Sequence, residues 1–120
     1  MFSMQRAVYK SPVSVDPQGE GLKARWSMPT GTILEDPGPV WVDGEPPRGQ
    51  VGVSEEYISG RGGHFRMRVG GTLVLSYFFN EARRGRKPNV EFRADYSQGK
   101  FQVRVIRPVA AHDELLAKYC

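Results

Sequence analysis

Fourteen glycines and nine prolines break these 120 residues into short pieces. Proline removes a backbone donor and fixes φ, so no helix can run through "PGPVWVDGEPPRG" (37–49). Such punctuation favours strands over helices. "RAVYK" (6–10) predicts a first strand, "DPQGEG" (16–21) a turn, and "LKARW" (22–26) a second strand with Leu22, Ala24 and Trp26 on one face. "MPTGTILED" (28–36) turns at Pro29–Gly31 and re-enters extended chain. "VSEEYIS" (53–59) is the best place for a short helix or helical turn, with Ser54 as its cap. "GRGGHFRMRVGG" (60–71) reads as flexible and basic. "KFQVRVIRPV" (100–109) alternates, with Phe101, Val103 and Val105 on one face and Gln102, Arg104 and Ile106 on the other. That is a half-buried strand, which Pro108 ends or places at an edge. "HDELLAKY" (112–119) fits a helical turn or a last strand, and periodicity does not choose between them. The expected architecture is mainly β with little helix, in a single domain over residues 1–120.

At 39% hydrophobic and 25% charged residues, the chain can bury one modest core. The net charge of +4 gives a weak bias toward acidic surfaces, nucleic acid included. Cys120 is the sole cysteine, so no disulfide can form within the chain and no cysteine cluster can hold zinc. His64 and His112 lie far apart without acidic or thiol neighbours at ligand spacing, so no metal site is expected. The longest apolar stretch, Thr72 to Phe79, is too short to span a bilayer, and "MFSMQRAVYK" lacks a signal-peptide apolar region. A soluble, intracellular protein without membrane partners is the expectation.

Four features fall in one order along the chain. They are "GEGLKA" (19–24), "PTGTIL" (29–34), "FFN" and "KPNVEF" around a loop (78–92), and "VRVIRPVAAHDELLAKY" (103–119). In this order they resemble the SET-domain protein lysine methyltransferases. The usual strings of that family are G-x-G-hydrophobic-x-A, Asn-His-Ser-x-x-Pro-Asn, and a strand followed by a turn, Glu-Glu-Leu and Tyr. The resemblance runs from about Ala7 to Tyr119 and is weakest between Val42 and Gly71. It implies a SET-like β-clip of several small curved sheets, with the C-terminal segment threaded under a preceding loop. Such threading would bring Asn80 near Tyr119.

The implied reaction moves a methyl group from S-adenosylmethionine to a protein lysine. Holding lysine neutral at pH 7 costs about 4.6 kcal/mol, given a reference pKa of about 10.4. A sulfonium about 4 Å away repels the ammonium by roughly 4 kcal/mol at an effective dielectric of about 20. The two nearly cancel. No dedicated general base is then required, and alignment in a narrow dry channel remains. By resemblance Tyr119 is the catalytic residue; the alternative is a ring that anchors the last strand. The turn at Gly19, Glu20 and Gly21 would admit the cofactor's amino-acid part, or be a plain hairpin turn. Asn80 would hold the cofactor while the backbone of Glu81 meets the adenine, and Asn89 with Pro88 would stiffen the start of the strand under which the terminus passes. Alternatively both asparagines bracket a β-turn.

Several positions depart from the family pattern. Glu81 stands in place of its His and Ala82 in place of its Ser, and the stretch from Asn80 to Pro88 is three residues longer, with the insert "RRGRK" (83–87). Ala117 replaces an aromatic, which would widen the lysine channel; Lys118 replaces an acidic or small residue; Cys120 replaces a glycine. No cysteine-rich segment follows to close the channel, so a homodimer is expected to complete it. The alternative function is a catalytically degenerate domain whose basic segments, "GRGGHFRMR" (60–68) and the insert, contact nucleic acid or protein. Steep loss of affinity with salt would mark the nucleic-acid case. Basic histone tails would be repelled at long range by a +4 chain, unless a groove near Glu55, Glu56 and Glu81 overrides this.

Overall fold

The computed structural model describes residues 1–13, 19–44, 57–60, 63–83, 85–95 and 98–118. A short strand β1 (Phe2–Ser3) leads into a single helical turn, α1 (Met4–Ala7). The first long strand therefore starts at Val8 rather than Arg6. It forms an antiparallel ribbon, β2 (Val8–Val13) with β3 (Gly19–Ala24). Leu22 and Ala24 are buried as the alternation predicts, but the strand stops before Trp26, which is exposed.

β4 (Ile33–Asp36) follows, and β5 (Val40–Asp43), β6 (Tyr57–Gly60) and β7 (Gly63–Arg66) form a three-stranded sheet in the order β5-β7-β6. Two expectations are corrected here. Tyr57, Ile58 and Ser59 are strand, not helix; Ser54, Glu55 and Glu56 lie outside the described residues. The supposedly flexible basic stretch contains β7, whose Phe65 is fully buried, and continues through buried Met67 into β8 (Arg68–Val69). Phe65 and Met67 alternate with Arg66 and Arg68, so the pattern is that of a half-buried strand. β8 pairs with β9 (Thr72–Leu73) across Gly70 and Gly71, both at positive φ (58° and 82°), the conformation a two-residue hairpin turn requires.

A 3-10 helix (Leu75–Phe78) closes the apolar run. Buried Asp36 fixes it to the end of β4. One carboxylate oxygen accepts Gly38 N at 2.9 Å, and the other accepts Ser76 N at 3.0 Å and Ser76 Oγ at 2.5 Å. A row of aromatic rings then ties the sheets together. Trp41–Phe65 (5.0 Å between centroids), Phe65–Phe101 (5.4 Å), Phe101–Phe92 (5.4 Å) and Phe92–Phe79 (5.7 Å) form a continuous contact. Each such pair contributes about 0.5–1.5 kcal/mol beyond area burial. The row ends at Phe79, so it fixes the backbone immediately before Asn80.

The remaining strands are β10 (Asn80–Glu81), β11 (Val90–Asp95), β12 (Lys100–Val105) and β13 (Leu116–Ala117). They complete a six-stranded sheet in the order β1-β4-β12-β11-β13-β10. β12 buries Phe101, Val103 and Val105 as its alternation predicts. It lies between β4 and β11, so Pro108 marks no edge; the strand has already ended at Val105. The undecided segment "HDELLAKY" supplies β13, which pairs in parallel with both β10 and β11. Since residues 82–89 link those two neighbours, that link must cross β13, and the late segment is threaded beneath it. Parallel neighbours usually need a crossover of about a dozen residues or more. Eight suffice here because β10 and β13 pair over only two residues. No helix among the described residues is long and apolar enough to cross a membrane.

Candidate active site

The threaded segment is held by backbone and side chain together. Leu115 N donates to Leu22 O (2.8 Å), Ala24 N to Asp113 O (3.0 Å), and Asn89 N to Leu116 O (3.0 Å). The side chain of Asn89 fills the place of one more strand residue. Its Nδ2 donates to Glu114 O at 2.9 Å, and its Oδ1 accepts Leu116 N at 2.7 Å. Asn89 thus has the structural role, at the start of the strand beside which the terminal segment passes.

Asn80 faces a different task. It pairs in register with Leu116, three residues before Tyr119 in the sequence. Its Nδ2 donates to Glu114 Oε2 at 2.8 Å and to Glu20 O at 3.2 Å. Both partners are acceptors, which fixes the orientation of the amide: the NH2 faces inward and Oδ1 points elsewhere. Glu81 pairs with Ala117, and Ala82 N donates to Ala117 O at 3.1 Å. In this parallel register Ala117 bonds residues 80 and 82, so the N–H and C=O of Glu81 face away from β13, toward the outer edge of the sheet. The Glu81 side chain is bound by Arg83 Nε, 3.3 Å from its Oε2.

Gly19, Glu20 and Gly21 are not the expected turn. They lie in β3, opposite Val13, Pro12 and Ser11. A strand serves the close approach equally well, because what matters at Gly21 is the missing side chain. A Cβ there would stand 2.4 Å from Glu114 Oε2, 2.9 Å from Asn80 Nδ2 and 3.1 Å from Val13 Cγ1. Glu114 has little room to retreat, since its side chain is 6% exposed. Gly21→Ala is therefore expected to separate Glu114 from Asn80 and to cost about 1–3 kcal/mol of stability. Thermal unfolding checks this, and an unchanged midpoint would contradict it. Of Glu20, the residue's backbone carbonyl is what touches Asn80; its side chain is exposed.

Two residues outside the sequence-derived set, Glu114 and Arg86, join the site. Glu114 Oε1 lies 3.3 Å from Arg86 Nη1, and its backbone bridges to Lys23 in β3. The available signal was an acidic residue directly before the apolar Leu115–Ala117, because a carboxylate in a buried strand needs partners. Of the insert's cations, Arg83 and Arg86 are thus paired with carboxylates, and Arg84 lies outside the described residues. The groove suggested near Glu55, Glu56 and Glu81 has only Glu81 among the described residues. Tyr119 and Cys120 also lie outside them.

No protein-family model and no curated protein matches the sequence. Solved structures match over nearly the whole chain. A Plasmodium falciparum protein described as a candidate histone methyltransferase aligns with a TM-score of 0.65 and 17% identity, over 95% of this chain and 93% of its own. The methyltransferase domain of human PR domain-containing protein 2 gives 0.63 at 18% identity, over 95% and 77%. The SET domain of the RIZ1 tumor suppressor (PRDM2) gives 0.62 at 17%, over 93% and 68%. At 17–18% identity the likeness is one of fold, and the fold of this chain is that of the SET methyltransferase domains.

Proposed function

We propose that the chain transfers a methyl group from S-adenosylmethionine to the side-chain amine of a protein lysine. When bound, the cofactor supplies an electrophilic methyl on its sulfonium: the C–S bond breaks as the C–N bond forms, and the lysine's proton leaves to water. One juxtaposition carries this reading. Gly21, Asn80 and Glu114 come from three segments distant in sequence and meet at one point. They do so in a fold shared with methyltransferase domains.

The residues present fit the cofactor. Asn80, with both amide hydrogens engaged inside the chain, offers Oδ1 as an acceptor for its ammonium group. The outward backbone edge of Glu81 offers a donor and an acceptor to its base. Because that contact would use backbone, Glu81 can stand where the family has histidine. The missing Cβ of Gly21 makes the room in which Glu114 and Asn80 meet, and so lets Asn80 present Oδ1. Tyr119, two residues beyond the Ala117 that pairs with Glu81, would align methyl and amine.

Calorimetry with S-adenosylmethionine and S-adenosylhomocysteine tests the pocket without knowledge of the substrate. One binding event per chain is expected for each, and Asn80→Ala should weaken both by about tenfold, the worth of a hydrogen bond to a charged group. Absence of binding for both ligands would end the proposal.

A further inference from the structure

Arg86 lies in the 82–89 connection, within the insert that departs from the family pattern. Its side chain is 49% exposed, yet its Nη1 reaches Glu114 Oε1, on a side chain only 6% exposed. The second oxygen of that carboxylate accepts from Asn80 Nδ2 at 2.8 Å. Glu114 therefore has one oxygen on a surface cation and the other on the amide of the candidate site. Two exposed charges at such a distance would couple weakly. A carboxylate nearly cut off from water depends on its partners far more.

Without Arg86, Oε1 loses its cation and turns toward the water that takes its place. That rotation draws Oε2 away from Asn80. The amide would then keep a single anchor, the longer 3.2 Å bond to Glu20 O, and the direction of its Oδ1 would no longer be fixed. We propose that Arg86 is a positioning residue: acting through Glu114, it aims the side chain of Asn80 and so sets cofactor affinity from a surface loop. The affinity readout rests on the methyl-transfer reading above; the orientation readout does not.

Two measurements test it. The first uses the ligand-free protein and the side-chain amide NMR signals of Asn80. Arg86→Ala should shift and broaden them, and Arg86→Lys should do so less. Arg83→Ala, which removes a cation from the same loop, should leave them in place. Unmoved Asn80 signals in Arg86→Ala would overturn the proposal.

The second is calorimetry. Arg86→Ala should weaken S-adenosylmethionine and S-adenosylhomocysteine by the same factor, about tenfold, with Arg86→Lys recovering part of the loss. If Arg86 merely competed with the ligand's ammonium group, which both compounds carry, its removal would tighten both, and that result would overturn the positioning role. In a Glu114→Gln background the Arg86→Ala change should have no further effect, whereas an additive loss would refute the path through Glu114. Should Arg86→Ala fail to fold, Arg86→Lys and the Glu114→Gln pair carry the same comparisons. If the unaltered protein binds neither ligand, the methyl-transfer reading fails, and the Asn80 signals still decide the role of Arg86.

Discussion

Asn89→Ala is expected to lower the stability of the protein by about 2–6 kcal/mol. The substitution leaves Glu114 O without its side-chain donor and Leu116 N without its acceptor, at about 1–3 kcal/mol for each buried group left unpaired. Domains of this size are stable by only about 5–15 kcal/mol, so the loss is a large fraction of the total. A fall in melting temperature of about 10 °C or more should accompany it. Urea unfolding would show a lower midpoint at unchanged slope. Asn89→Asp should lose less than alanine at the Leu116 contact but set a carboxylate oxygen against the Glu114 carbonyl. An alanine variant within about 0.5 kcal/mol of the parent, the range of an ordinary surface change, would show that the threaded strand is held without this side chain.

Tyr119→Phe is expected to reduce methyl transfer by about 100-fold or more while leaving cofactor binding nearly unchanged. The magnitude is that of a small misalignment of reacting groups. The split between binding and turnover is the informative part, because a tyrosine that only anchored the chain would keep its ring in phenylalanine and keep its rate. Single-turnover transfer of a labelled methyl group to a protein substrate, beside calorimetry on the same sample, separates the two. Equal rates for parent and variant would remove Tyr119 from the reaction.

Local rules found what local physics determines. β12 was legible because one face meets the core and the other meets solvent, so Phe101, Val103 and Val105 alternate with polar residues. β13 was not, because Leu116 and Ala117, like Leu115 before them, are all buried, and alternation vanishes where both faces of a strand are covered. In the basic stretch around Phe65, glycine and arginine dominate the composition and hide the period that buried Phe65 and Met67 define. Composition misleads at Gly19–Gly21 too: two glycines so close together usually signal a turn, but here at least one of them makes room for neighbouring side chains.

The site divides in the same way. Asn80, Asn89 and the glycines were found through resemblance, since nothing local says that Asn80 pairs with Leu116. Glu114 was within the quoted motif yet went unassigned, because its role depends on Asn80 and Arg86, 34 and 28 positions away. Interactions of that span leave no periodic trace.

The placement of β13 has a mechanical consequence. β13 fills the one lane between β10 and β11, which lie two strand spacings apart, about 9.6 Å, so withdrawing it leaves edges too far apart to bond each other. The sheet cannot heal around the loss. Glu114 leaves with the same segment, so the scaffold and the amide's anchor come undone in one step, and a partly opened molecule that retains its site has no structural basis.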